Sequence, residues 1–321
     1  MHRESSFPDY GGHHRGDDMN IHDFLTDFTV DIPEGITERT VHAIAVHIGW
    51  LNWSSVGDEC LDKLIEFYDA EKIAEFERPG DFYDFVAYRD RSLTYTDSKG
   101  VRRTEYPNTR AYYVRRYDGP TDLVLLSVLE PNQFSEIFVD RMVALLKKLN
   151  VSRYTVAGAM GSPVPHTRPL RITGRSSDPA VSDQLASLSV KQTVGRQYQG
   201  PTSIFNAISP RLTDEGVASV HLMAHMPSHI SLQEPDFTGV YGMLKVVSRL
   251  EEIDIPLERT RTAGKKQYDS ISKEVLQSPG LADLSRQLEE IYDQEEGPAT
   301  EESTELPPNI QKAIDEAFGK E

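Results

Sequence analysis

Residues 121–149 read TDLVLLSVLEPNQFSEIFVDRMVALLKKL. Leu123 to Leu129 is apolar at every position but Ser127, so a strand here has both faces buried, and Glu130-Pro131 closes it. Phe134, Ile137, Phe138, Met142, Leu145, Leu146 and Leu149 then recur at i, i+3 and i+4 intervals. That spacing is the strongest helix signal in the chain, with one apolar stripe facing a core.

The same alternation of doubly buried strand and helix recurs on both sides. Val41–Ile48 is a β-branched-rich run ending at Gly49-Trp50, and Cys60, Leu61, Leu64, Ile65 and Tyr68 follow as a helical stripe. Tyr154–Ala157 predicts a third strand, ending in Gly158-Ala159-Met160-Gly161. Val217–Ala224 predicts a fourth, ending in His225-Met226-Pro227-Ser228-His229, and Phe237 to Leu250 is another amphipathic helix. Strands of this kind predict an α/β fold: three α/β/α layers around a mixed, mainly parallel sheet covered on both sides. Leu93–Thr96, the turn Asp97-Ser98-Lys99-Gly100 and Ala111–Val114 read as shorter, more polar strands. They are expected near a sheet edge or in an excursion from the main sheet.

The ends differ from the middle. Residues 1–20 have no periodic apolar pattern and are expected to form a disordered leader, with His13 and His14 in a solvated tail and not in a metal site. The α/β core is expected over 21–257 and an acidic helical extension over 258–321. In the extension, Leu281, Leu284, Leu288 and Ile291 form one stripe. An acidic linker at 295–305 and Leu306-Pro307-Pro308 then precede a short final helix with Ile310, Ile314 and Phe318 on one face. Short helices are marginal alone, so this tail is expected to dock on its own domain or on a neighbour.

The 321 residues carry a formal net charge of −17. Residues 281–321 hold 12 acidic and 3 basic side chains, a balance of −9 that leaves −8 for the rest. This opposes attraction to nucleic acid or to anionic membranes, and neither is an expected partner. The apolar runs are far shorter than the ~20 residues that cross a bilayer, and the first residues have no apolar h-region, so a secretory signal is not expected. Cys60 is the only cysteine, which excludes an internal disulfide, fits a reducing cytoplasm, and on its apolar stripe reads as a buried small hydrophobe.

No phosphate-binding Gly-rich loop, dinucleotide fingerprint, nucleophile elbow or HExxH helix is present, so no cofactor or metal is expected and an enzyme is the weaker reading. What remains is positional. Gly49-Trp50, Glu130-Pro131, Gly158–Gly161 and His225–His229 each follow the carboxyl end of a predicted strand, where parallel sheets bind ligands. The candidate rim residues are Trp50, Glu130, Gly158, His166, Arg168 and His229. Pro165-His166-Thr167-Arg168-Pro169 is open to two readings. One is a His/Arg site for an anion or carbonyl, with Glu130 as partner. The other is a rigid Pro-flanked loop in which Arg168 pairs a carboxylate and His166 is satisfied by backbone. Trp50 and Trp53 either form a binding wall or pack in the core. His225 and His229 are four apart, but Pro227 between them argues against a helical metal pair.

The order of Gly49-Trp50, Glu130-Pro131, Gly158 with Pro165-His166-Thr167-Arg168-Pro169, Gly200-Pro201 and Met226-Pro227-Ser228-His229 resembles the proteasome assembly chaperone 2 (PAC2) family. The resemblance runs from about Val41 to Leu257, and the tail resembles the actinobacterial branch. It implies a fold similar to purine nucleoside phosphorylase, self-association including as a trimer, and a chaperone-like role with other proteins as partners. It implies no known reaction. Two features depart from the family. Eukaryotic members dock through a C-terminal hydrophobic-Tyr-any signature, whereas this sequence ends Phe318-Gly319-Lys320-Glu321. The family's first loop often places a small or acidic residue after Gly-Trp, whereas here Leu51-Asn52-Trp53 follow. The leading expectation is therefore a homo-oligomeric assembly factor. The alternative is a small-molecule-binding protein, or a hydrolase or phosphate-handling enzyme, with Glu130, His166 and Arg168 as its polar centre.

Overall fold

A computed structural model describes residues 28–193, 202–231 and 234–296. The predicted leader at 1–20, Gly200-Pro201 and the final helix with Ile310, Ile314 and Phe318 lie outside the described residues.

In chain order the elements begin with β1 (Phe28–Val30), β2 (Thr40–His47), α1 (Val56–Tyr68) and β3 (Glu71–Phe76). Next come β4 (Leu93–Thr96), β5 (Arg102–Glu105), β6 (Arg110–Val114), β7 (Thr121–Val128) and α2 (Ser135–Lys148). They continue with β8 (Val151–Ser162), β9 (Arg171–Ser176), α3 (Pro179–Ser187), β10 (Lys191–Gln192), α4 (Phe205–Asp214) and β11 (Ala218–Pro227). Three helices follow: α5 (Phe237–Leu250), α6 (Glu258–Gln277) and α7 (Pro279–Glu296). Nine strands form one sheet in the order β1-β3-β6-β7-β2-β8-β11-β9-β10, and β4-β5 is a separate two-stranded ribbon. The centre β7-β2-β8-β11 is parallel, while β1, β3, β6 and β9 join antiparallel.

The reason for the unbroken apolar strands is visible in how they divide their side chains. Along β2, Val41, Ala43 and Ala45 enter one buried cluster, and Ile44 and Val46 enter the other. Along β7, Val124, Leu126 and Val128 go one way, Leu123 and Leu125 the other. The first cluster is closed by Phe138, Met142 and Leu146 of α2 with Phe205, Ile208 and Leu212 of α4. The second is closed by Cys60, Leu61 and Leu64 of α1, Leu185 of α3 and Val240, Leu244 and Val247 of α5. Full burial of each such side chain contributes roughly 1.5–3 kcal/mol. Burial also pushes the Cys60 thiol up, so it is an inert core group.

β4-β5 is the expected excursion. The Ala111–Val114 segment is not near an edge: as β6 it pairs with both β3 and β7 inside the large sheet. Its alternation of half-buried and buried residues fits that place.

Two ionic clusters seal the amino end of the parallel strands. Asp122 is fully buried and accepts from Arg39 (2.7 and 2.9 Å), the Tyr113 hydroxyl (2.5 Å) and Arg116 N (2.9 Å). These donors outweigh desolvation and hold its carboxyl below the usual range. Glu251, after α5, accepts from Arg153 (2.5 Å) and Thr155 (3.3 Å) and pairs His42 (2.7 Å). The Arg116 guanidinium joins the two clusters by donating to Glu251 O and Glu252 O.

The C-terminal helices pack on the core. A Cβ at Gly264 of α6 would lie 2.6 Å from Thr238 N, so only glycine lets α6 cross the start of α5 this closely. No helix of the described residues is long and apolar enough to cross a membrane.

Candidate functional site

The carboxyl end of the parallel sheet is built by the loops that leave β2, β7, β8 and β11. His47 ends β2 and faces Val128 of β7 in register. This places its imidazole beside Glu130, with Nε2 2.5 Å from Glu130 Oε2. The other carboxylate oxygen accepts from Ile204 N (2.8 Å), the N-cap of α4. The Glu130 carbonyl accepts from the Tyr88 hydroxyl (2.8 Å). His47 is buried edge-on against Phe205, and among the described residues its Nδ1 has no partner.

The Gly-Trp loop continues β2 in the plane of the sheet. Ala159 N donates to Leu51 O (2.9 Å), and Asn52 forms a parallel bridge with Ala159. A Cβ at Gly158 would meet Leu51 O at 3.3 Å, and one at Gly161 would meet the Trp53 ring at 2.6 Å. The two glycines thus let the loop and its indole lie on β8. Asn52 Oδ1 then accepts from Gly57 N (2.7 Å) and Asp58 N (3.1 Å), which starts α1. Trp50 is 51% exposed, Trp53 40% and Met160 37%.

His166 and His229 meet under the C-terminal helices. Nδ1 of His166 and Nε2 of His229 are 3.2 Å apart, and the ring of Tyr268 from α6 stands against His166. Both imidazoles are buried, and His166 Nε2 and His229 Nδ1 have no partner among the described residues. Desolvation pushes His229 down to about 4 and lowers His166, against which Glu289 acts. His225 is held between Ser162 Oγ (2.9 Å) and Thr173 Oγ1 (3.0 Å) and is likewise pushed down to about 4 by burial, with Arg171 adding to the shift.

Arg168 turns away from this pair and towards α7. Its guanidinium donates two 2.8 Å bonds to Asp293, with Glu289 3.6 Å away. Thr167 donates to Glu289, Arg171 donates to Glu295 (2.6 Å), and the Tyr292 hydroxyl donates to Pro169 O (2.9 Å). Leu284, Leu288 and Tyr292 are buried beneath these bonds. The structure therefore brings His166 and His229 together, while Glu130 is held by His47 and Ile204 N, and Arg168 by Asp293. A cavity of about 240 Å³ remains between this loop and α7, lined by Ser162, Arg171, His225 and Tyr292 among others. A larger open cleft of about 410 Å³ lies away from the rim, where Arg175, Asn206 and His221 line the space between α4 and strands β9 and β11. Among the described residues no group of three or more His, Cys, Asp or Glu side chains could hold a metal ion.

The PAC2 family profile matches residues 47–275, which spans every rim loop just described. The chain belongs to the PAC2 family. A PAC2 family protein from Streptomyces avermitilis is similar at 26% identity and a TM-score of 0.66, with 76% of this chain and 99% of that one covered. The Mycobacterium tuberculosis proteasome-assembly chaperone homologue shares the fold at 24% identity, TM-score 0.65 and the same coverage. Pyrococcus furiosus PbaB, an archaeal proteasome activator, shares it at 14% identity and TM-score 0.58, with 77% and 97% covered. No curated protein matches the sequence.

In this PAC2 protein, sequence reasoning missed His47, Tyr268 and Asp293. His47 carried a signal: a polar side chain at the end of an apolar strand, two residues before Gly49. Tyr268 and Asp293 carried none, because they reach the rim from helices far along the chain. The pairing of Arg168 gives a direct expectation. Arg168→Ala removes the bidentate bond to Asp293, so amide hydrogens of α7 should exchange faster while those of β7 and β8 keep their protection. Unchanged exchange in 279–296 would show that the apolar contacts alone hold the helix.

Proposed function

We propose that this PAC2 protein is a chaperone-like assembly factor that acts as a homo-oligomer and engages protein partners through its strand-end rim. The observation that carries this reading is the division of roles at the rim. Its ionisable groups are held by neighbours, Glu130 by His47 and Arg168 by Asp293, whereas Trp50, Trp53 and Met160 are exposed, with the Trp53 ring against Gly161, next in the chain to Met160. Exposed aromatic clusters of this kind mark protein-binding surfaces, where Trp is among the most effective anchors. Relatives of the same fold described as a proteasome-assembly chaperone homologue and as a proteasome activator support a proteolytic complex as the client.

The test is reconstitution. Separately purified proteasome α and β subunits from the same organism are mixed with and without the protein, and assembled particles are followed on native gels. Assembly should quicken with wild-type chain, and Trp50→Ser should abolish the gain with its melting temperature preserved. An assembly rate indifferent to the wild-type chain rejects the role. Light scattering at micromolar concentration should give a mass above one chain, and a single-chain mass throughout rejects the homo-oligomer.

A further inference from the structure

The face of β9 and β11 that turns towards α4 is polar. Val220, Leu222 and Ala224 of β11 enter the core on the opposite face, so strand alternation leaves Ser219 and His221 on this one. His221 stands opposite Arg175 of β9 in register. Three bonds then tie α4 to this face, in order along the helix. Arg175 Nη2 donates to Asn206 Oδ1 (3.1 Å), His221 Nε2 meets Ser209 Oγ (2.8 Å), and Thr213 Oγ1 donates to Ser219 Oγ (3.1 Å). The open cleft of about 410 Å³ follows this seam. Its size falls within the roughly 300–1,000 Å³ of small-molecule sites.

The charges of the cleft stand at its two ends. His221 is neutral at pH 7, pushed down to about 4 by burial and then by Arg175, which leaves Arg175 and Asp214 as the ionised side chains of the lining. Arg175 meets Asn206 in the first turn of α4, and Asp214 is the last residue of that helix. Eight residues of helix, 206 to 214, span about 12 Å. Among the described residues neither Arg175 nor Asp214 is in a salt bridge. The dipole of α4 has the same polarity, positive at the end beside Arg175 and negative at the end carrying Asp214. A cationic end, an anionic end and a wall of hydroxyls between them fit a linear zwitterion. An extended chain covers about 3.3–3.6 Å per residue, so about three residues with a hydrogen bond at each end fill the span. A free amino acid is too short to reach both ends, and a simple anion would use the Arg175 end alone.

We propose that this cleft binds a short peptide of about three residues with free termini, its carboxylate on Arg175, its ammonium on Asp214 and its amides along the hydroxyl-lined wall. The cleft lies away from the rim, so the proposal is independent of the assembly role.

Calorimetric titration of the full-length protein with Ala-Ala-Ala tests this. Wild-type chain should bind one peptide saturably. Acetylating the amino end of the peptide or amidating its carboxyl end should weaken binding about tenfold or more, the loss of one charge-assisted contact. Arg175→Met and Asp214→Asn should each do the same, and because both positions are exposed their melting temperatures should stay near wild type. No saturable binding at millimolar peptide, or undiminished binding to either variant, overturns the proposal. Displacement of the peptide by inorganic phosphate together with an indifferent Asp214→Asn would make the cleft a simple anion site and overturn it as well.

Discussion

Between pH 7.5 and pH 5.0 the urea midpoint of this protein should drop sharply, because the fold buries neutral histidines. His221 and His225 are pushed from an ordinary 6.5 to about 4, first by desolvation and then by Arg175 and Arg171 respectively. His221 is bonded to Ser209 Oγ (2.8 Å) and His225 to Ser162 and Thr173, all neutral partners that do not compensate an imidazolium. The folded state therefore binds fewer protons than the unfolded chain. Stability from these groups is complete above pH 6.5 and is lost as pH falls from there towards 4. At pH 5 each costs about 2 kcal/mol, rising to about 3 kcal/mol below pH 4. Two such losses are a large part of the 5–15 kcal/mol that holds a typical domain. The His166–His229 pair acts in the same direction. Asp236, whose carboxyl is raised by burial, acts in the opposite one. His221→Gln and His225→Gln should each flatten the pH dependence. Equal midpoints at pH 7.5 and 5.0 would refute this account.

Glu251→Ala should cost about 3–5 kcal/mol, the price of leaving a buried cation without its partner. The carboxylate is completely buried and holds Arg153 and His42, with Thr155 as a further donor. Without it, the Arg153 head keeps the Leu250 carbonyl and His42. Desolvation of Glu251 is already outweighed in the native state, where its carboxyl is held below the usual range. The discriminating measurement is a pair of urea curves. Glu251→Ala alone should be severely destabilised, and Glu251→Leu with Arg153→Met should recover most of the loss, since a packed apolar pair needs no compensating charge. A loss under about 1 kcal/mol for the single change would mean that water reaches the cluster and solvates Arg153.

The elements legible in the sequence are those whose physics is local. The four parallel strands were visible because burial on both faces demands unbroken apolar runs, and α2 and α5 because a single buried stripe repeats every 3.6 residues. β3, with Glu71-Lys72-Ile73-Ala74-Glu75-Phe76, and β9, with Arg171 and Arg175 on one side, were not read as strands. Each has polar positions supported by partners elsewhere, such as Arg110 on Glu75 and Glu295 on Arg171. The rim was half legible. The expected loops after β2 and β7 leave strand ends, whereas Gly158–Gly161 lies inside β8 and His225–Pro227 inside β11, because both strands run on in parallel pairing to Ser162 and Pro227; Arg168 does pair a carboxylate. The identity of that carboxylate depends on where α7 lands, which no nearby residue encodes. His166, read either as part of a His/Arg site with Glu130 or as satisfied by backbone, finds another imidazole, since the turn after β11 returns His229 to it.

The bond between Arg168 and Asp293 spans 125 residues, and that separation imposes an order on biosynthesis. A ribosome releases the amino-terminal part of a chain first, so the sheet, in which β11 lies between β8 and β9, can form before α7 exists. Until α7 arrives, Thr167 and Arg168 of the loop after β8 lack their partners Glu289 and Asp293. The last contacts of low local character close the surface beside Trp53 and His225, after loop closure over more than a hundred residues. A chain that stops short of α7 therefore lacks the partners that fix the loop carrying Arg168.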